Sequence, residues 1–342
     1  MKASLSRVGI LAFATLVYAS PASAQVTLNV NSWAAPGYPL NPQAVALCND
    51  IAKVTQDRVK CNILPKAVAS PTQTYDAVAS GVVDIGYIVH GYTAGRFVLT
   101  EAPEFPLMGD NAEIMSAAYQ RIHDRMLAKA NEHKGVVVLA VHTHGPGLIF
   151  NNRRPVEKLA DLDGLKMRVG GGVINNVAKL VGAVPLLKPA TEVYEMISGG
   201  VADGVFFAKD GIAPYRLDGI IKYVTYVPGG FYNISFGWLA NPAKWASIPE
   251  SDRKLIQPLL GEALARRLGK AFDVEEVKGL EALKKQNIVV HTASPEFIKE
   301  LAPKLAPLEK EWIDRAAKLN VDGAAVLKAL RAENKSLSSG GH

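Results

Sequence analysis

The segment Pro155-Val156-Glu157-Lys158-Leu159-Ala160-Asp161-Leu162-Asp163-Gly164-Leu165-Lys166-Met167-Arg168-Val169, residues 155–169, decides how the rest of the chain is read. Leu165, Met167 and Val169 place apolar residues at alternate positions, the signature of a short strand. Gly170-Gly171-Gly172 follows and opens a helix over 172–181. Val184 to Leu187 reads as the next strand. Thr191 to Ser198 reads as a helix with Thr191 as its cap, and Gly204 to Phe207 as another strand. Strand and helix in alternation predict an α/β layer with a largely parallel sheet. Arg168 then falls at the end of a strand, at the mouth of an open sheet, where ligands of such folds bind.

The same alternation precedes this segment. Strands are expected at Val26–Asn31, Val59–Leu64, Val82–Val89 and Gly135–Val141, with helices at Pro42–Gln56, Thr72–Ser80 and Asn111–Asn131. Beyond it, Tyr223–Val227 and Ile234–Leu239 read as strands. Pro249 to Lys285 reads as one helix of roughly 50 Å at 1.5 Å per residue, long enough to cross two lobes. Ile288–His291 is a last strand and Pro295–Leu319 a helix. These elements sort into two α/β lobes, 25–145 plus 233–272 and 146–232 plus 273–330, joined by several crossings. Such a plan closes about a hinge. The polar stretch 331–342 is expected to be a disordered tail.

The N-terminus sets the compartment. Lys2 and Arg7 precede the apolar run Val8–Ala19, and Ala22-Ser23-Ala24 offers small residues for cleavage. This is the layout of a secretory signal peptide over residues 1–24. The apolar run falls short of the roughly 20 residues that span a bilayer. About 318 residues remain, more than one core usually holds. The formal charge of +6 falls to +4 once Lys2 and Arg7 are removed. No basic run carries interleaved aromatics, so nucleic acid is not an expected partner.

Cys48 shares a helical face with Val45 and Ile51, and Cys61 alternates with Val59 and Ile63. The pair is read as a disulfide of an oxidising compartment, with two buried thiols as the alternative. No G-x-S-x-G, G-x-x-x-x-G-K-[ST] or H-E-x-x-H occurs. The three glycines lack dinucleotide spacing, and His142-x-His144 has no third ligand in view. Neither a cofactor nor a metal site is expected.

Four motifs stand in order: Asp161-x-x-Gly164-x-Lys166-x-Arg168, Gly182-Ala183-Val184-Pro185, Glu192-x-Tyr194, and Gly200-x-x-Asp203-Gly204. Ala79-Ser80-Gly81-Val82-Val83-Asp84-Ile85-Gly86 and Asn241–Pro249 agree as well. The series resembles the substrate-binding proteins of tripartite ATP-independent periplasmic (TRAP) transporters, of the DctP type, over essentially the whole mature chain. The resemblance implies a periplasmic-binding-protein-like fold that closes on an organic acid. It also implies delivery to a membrane permease with a small and a large subunit, by a monomer and without catalysis. The anchoring arginine of that family falls on Arg168, whose planar guanidinium matches a carboxylate in two parallel hydrogen bonds. The bland alternative is a structural ion pair, for which Glu192 is a candidate partner.

Departures from sugar-acid members bear on specificity. Leu148 stands where they carry a second arginine, Phe207 replaces a polar amide, and His90 falls near a ligand-facing acid. Unpaired sugar hydroxyls would cost about 1–3 kcal/mol each against such walls. An aromatic acid, or an aromatic 2-oxo or 2-hydroxy acid, is therefore the expected ligand. Trp33 and Tyr92 are candidates to stack on it, His90 and His144 to donate hydrogen bonds to its keto or hydroxyl group, and Tyr232 to line the site. Phe207 has an equally simple reading as core. The alternatives are an aliphatic 2-oxo or branched acid, or a periplasmic enzyme that uses His90, His144 or Asp210.

Overall fold

The structure is a computed structural model that describes residues 25–286, 288 and 290–339. The expected signal peptide, 1–24, lies outside the described residues. The first half of the chain runs β1 (Val26–Asn31), α1 (Leu40–Val54), β2 (Val59–Ile63), α2 (Thr74–Ala79), β3 (Ile85–Val89), α3 (Ala112–Ile122), β4 (Val137–Thr143) and β5 (Leu148–Asn151). It continues with β6 (Lys166–Val169), α4 (Val173–Leu180), β7 (Val184–Leu187), α5 (Val193–Ser198), β8 (Gly204–Phe207), β9 (Tyr223–Tyr226) and β10 (Ser235–Ala240). The remainder is α6 (Pro242–Ala246), α7 (Glu250–Ile256), α8 (Glu262–Lys285), β11 (Val290–Thr292), α9 (Pro295–Ala317) and α10 (Gly323–Ser339).

Two sheets result, one ordered β2-β1-β3-β10-β4 and the other β11-β9-β5-β8-β6-β7. The βα units behave as the alternation predicts: β1 pairs in parallel with β2 and β3, and β6 with β7 and β8. The strands that follow the first two crossings between the sheets run the other way. β5 is antiparallel to β8 and β9, and β10 is antiparallel to β3 and β4. Both sheets are therefore mixed.

α8 braces the two layers through close backbone contact. A β-carbon on Gly269 would lie 2.4 Å from the Ala112 carbonyl oxygen, and one on Gly279 2.2 Å from that of Lys209. Only glycine admits such an approach. Between them, Asp273 accepts from Ala112 N at 2.7 Å and Glu113 N at 3.0 Å, satisfying donors that α3 leaves free at its start.

Several expectations need correction. Residues 249–285 do not form one helix. Pro258, which lacks a backbone donor, lies in a tight turn after α7, and Gly261 sits at φ 58° before α8 begins. α8 therefore spans about 36 Å at 1.5 Å per residue. Thr191 does not cap α5, since it lies inside a 3₁₀ turn over Ala190–Glu192. Nor is 331–339 a disordered tail, because it forms the end of α10. Glu333 there accepts from Arg121 and Arg125, each at 2.7 Å, and buried Asn334 donates to the Met108 carbonyl at 3.0 Å. Residues 340–342 lie outside the described residues. α10 packs on α3, so 323–330, assigned from sequence to the second lobe, lies against the first sheet's layer.

Cys48 on α1 and Cys61 on β2 are bonded, with Cα atoms 5.4 Å apart and a sequence separation of 13. Closing a loop of that size restricts the unfolded chain, a contribution of about 3 kcal/mol. The double substitution Cys48→Ala/Cys61→Ala should lower the unfolding free energy in urea by that order. A loss near zero would show that the bond does not constrain the unfolded chain.

Candidate functional site

Strand ends from both sheets converge on one tight cavity. Trp33 follows β1, Val89 ends β3 and Tyr92 lies just beyond it, while His144 follows β4. From the second sheet come Arg168 in β6, Gly170 after it, and Phe207 at the end of β8. The layers touch beside it: a β-carbon on Gly171 would lie 2.2 Å from the Gly91 carbonyl oxygen.

Arg168 is 2% exposed. Its Nε donates to the Lys188 carbonyl at 2.8 Å and its Nη2 to Tyr92 Oη at 3.2 Å. Among the described residues, Nη1 has no hydrogen-bond partner and no carboxylate lies within ion-pair distance. Glu192, the candidate partner, pairs with Lys188 at 3.0 Å instead. Among the described residues, no acidic side chain lines the cavity. The guanidinium lies 5.6 Å from the centre of the Phe207 ring, within cation–π range. Tyr92 Oη also accepts from Ala190 N at 2.9 Å, so two donors hold its oxygen while its own proton stays free to donate.

Aromatic rings form the rest of the wall. Trp33 is fixed by a 2.8 Å bond from Nε1 to the Tyr87 carbonyl, and its ring centre lies 6.0 Å from that of Tyr92. Tyr215 packs edge-on against both Tyr38 and Phe207, at 5.4 and 5.6 Å. Burial pushes the Tyr38, Tyr215 and Tyr232 phenols well above their ordinary range. His144 meets the Tyr232 ring edge at 5.4 Å. Burial, aided by the nearby Arg168 charge, lowers its pKa to about 4. The site thus offers one buried cation with a donor to spare, neutral polar groups and an apolar wall.

Six of the sequence candidates line this cavity: Arg168, Phe207, Trp33, Tyr92, His144 and Tyr232. His90 does not. The chain enters a 3₁₀ turn after β3 and carries the ring inward, where Nδ1 meets Ser235 Oγ at 3.1 Å and Nε2 meets His133 Nε2 at 2.8 Å. Leu148 is not a wall of the cavity either. It is fully buried opposite Phe207 in the sheet and borders a different hollow with Tyr226 and Leu280. Tyr38 and Tyr215 were missed, although both lie in loops beyond strand ends. His142 stacks on Phe236, with ring centres 4.8 Å apart, and its Nε2 accepts from Trp238 Nε1 at 3.2 Å.

Residues 30–315 match the family described as bacterial extracellular solute-binding protein, family 7. The chain belongs to this family. The outer membrane transporter protein TsaT of Comamonas testosteroni is 31% identical over 328 residues, covering 94% of this chain and 97% of the relative. The fold is similar to a TRAP periplasmic solute-binding protein from Bordetella bronchiseptica with bound (R)- and (S)-mandelate. That similarity has 38% identity and a TM-score of 0.89, over 91% of this chain and 99% of that one. It is also similar to a marine metagenome TRAP solute-binding protein specific for aromatic acids, with bound 3-hydroxybenzoate. Identity there is 31% and the TM-score 0.86, over 92% and 99% of the two chains.

The groups that an enzyme reading would need are dispersed in this solute-binding protein. His90 faces His133, and Asp210 lies beside Glu276, whose Oε1 accepts from Asp210 N at 3.0 Å. Only His144 reaches the cavity.

A buried carboxyl joins the layers next to the site. Glu104 accepts from Val173 N, at the start of α4, and from Ser235 N, at the start of β10, both at 3.0 Å. Burial pushes its pKa from 4.5 to about 8, with Glu101 repulsion adding to the rise and the Ser235 and Val173 donors opposing it. The folded protein therefore holds a proton that the unfolded chain releases above pH 4.5. Stability from this group is present below that pH and declines as pH rises towards 8. Glu104→Gln, which stays neutral, should flatten the fall of melting temperature between pH 5 and 8. Parallel melting curves for the two proteins across that range would contradict the assignment.

Proposed function

We propose that this TRAP solute-binding protein captures a small aromatic monocarboxylate outside the cytoplasm and passes it to the membrane permease. The carrying observation is Arg168, a buried guanidinium with no protein carboxylate among the described residues and one nitrogen free beside an aromatic cavity. A buried charge without a partner is strongly unfavourable. A ligand carboxylate supplies the missing charge and accepts from Arg168 Nη1 and from the Tyr92 hydroxyl. Trp33, Phe207 and Tyr38 then enclose the ring. The cavity between the two layers is tight, which favours a compact acid. The mandelate and 3-hydroxybenzoate bound by the two similar structures support this class.

The rest of the reading follows from the family and the sequence. The signal peptide over residues 1–24 directs export to the periplasm, and no helix among the described residues is long and apolar enough to cross a membrane. A monomer binds, its lobes close about the crossings, and the loaded form docks on the small and large permease subunits. Binding and release need no cofactor.

Thermal-shift and calorimetric measurements test this reading. Mandelate or 3-hydroxybenzoate at 100 times its Kd should add about 2.7 kcal/mol of stability, while lactate or 2-oxobutyrate at equal concentration should add much less. Arg168→Met should abolish binding of every carboxylate. It should leave the ligand-free melting temperature unchanged or higher, because an apolar side chain of similar volume removes an uncompensated charge. Carboxylate affinity surviving in Arg168→Met would sink the proposal.

A further inference from the structure

The aromatic-acid reading leaves open which substituted acid the cavity prefers, and His144 bears on that choice. We propose that His144 Nε2 accepts a hydrogen bond from a hydroxyl of the bound acid, so that the site selects hydroxy acids over their oxo and unsubstituted counterparts. The inference rests on the carboxylate reading above and adds a second point of recognition to it.

The tautomer follows from geometry. His144 Nδ1 contacts the Gly145 carbonyl oxygen. A carbonyl only accepts, so Nδ1 carries the hydrogen. In the neutral ring Nε2 is then a bare acceptor, and it has no partner among the described residues. Burial and the Arg168 charge keep the second proton off, since the pKa is lowered to about 4. The groups packed round the ring do not reverse this. Tyr232 presents its ring edge at 5.4 Å, Phe236 lies at 6.1 Å, and neighbouring His142 is itself held neutral, with a pKa of about 3.

No other lining side chain offers the same chemistry. Among the described residues, the wall contains no side-chain carboxylate and no side-chain amide. Tyr215 Oη is buried without a partner, but a phenol both donates and accepts and so separates a hydroxyl from a carbonyl poorly. His144 Nε2 only accepts. A ligand hydroxyl satisfies it. A 2-oxo group sets lone pair against lone pair, and an unsubstituted acid leaves the acceptor dry and unpaired. Sites built around such a bond discriminate by the penalty for leaving a buried group unmatched.

The hydroxyl has two possible places on the ligand, next to the carboxylate or on the ring, and calorimetry separates them. One series is mandelate, phenylacetate and phenylglyoxylate; the other is 3-hydroxybenzoate and benzoate. In at least one series the hydroxy acid should bind about tenfold tighter than its counterparts, the worth of one hydrogen bond to a buried acceptor. His144→Phe should reduce that preference, read as the ratio of hydroxy-acid to unsubstituted-acid affinity within the variant, to within roughly threefold. Equal binding across both series by the wild-type protein would overturn the inference, and that measurement needs no variant to fold. A preference kept intact in His144→Phe would overturn it too. If phenylacetate and benzoate bind wild type and not Arg168→Met, the carboxylate reading survives either failure. If no acid of either series binds, both readings fall.

Discussion

An arginine charge held out of water with no counter-ion among the described residues is the constraint around which this molecule is arranged. Arg168 keeps one nitrogen on a backbone carbonyl and another on the Tyr92 hydroxyl, which satisfies donors but does not cancel charge. Glu192, the acid that the sequence offered as a partner, is held by Lys188. Among the described residues, the rest of the cavity lining is then neutral or apolar: Phe207 beneath the guanidinium, Trp33 and the tyrosines beyond, and a histidine whose second proton the same charge repels. A wall of this kind strengthens any anion it admits, because a low-dielectric surrounding screens the pair poorly.

Holding that charge in place requires both layers, and the long helix supplies the frame. Gly269 and Gly279 let α8 meet backbone from α3 and from the turn after β8, and Asp273 ties α3 by its first amides. Nearer the cavity, Lys209 pairs with buried Glu276 of α8 at 2.5 Å, which anchors the loop after β8 just behind Phe207. The first layer contributes Trp33, Tyr92 and His144 from the ends of three strands. Neither layer alone encloses the guanidinium.

Much of this arrangement is legible in the chain itself, and the failures have physical causes. Alternating apolar residues and glycine stops locate the βα units, and the strand-end rule places Trp33, Tyr92, Arg168 and Phe207 at one opening. That rule also covers Tyr38 and Tyr215, but loop conformation depends on tertiary contacts such as the packing of those two rings on each other. His90 sits one residue past the end of β3, where the 3₁₀ turn and not the strand pleat sets side-chain direction. Leu148 shows the limit of an ungapped count: it lies in a strand that faces Phe207 in register yet opens on another hollow. Pro258 and Gly261 are visible breaks in an otherwise helical pattern. The polar end of α10 gives no local sign that Asn334 will be buried, since its partner at Met108 is 226 residues away.

In the proposed function, contact between the layers and the unbalanced charge together give ligand binding its leverage. Contacts that join the layers, such as Glu104 bridging α4 and β10, favour closure with or without a ligand. Enclosing Arg168 without an anion opposes it. The two effects act on one equilibrium, and a carboxylate removes only the opposing one. A ligand shifts a conformational equilibrium by no more than its difference in affinity for the two states. In the proposed function that difference is concentrated in a single ion pair, which forms out of water only when the layers meet. The apolar wall adds affinity in proportion to what the acid's body fills, but the charge decides whether closure is favourable at all.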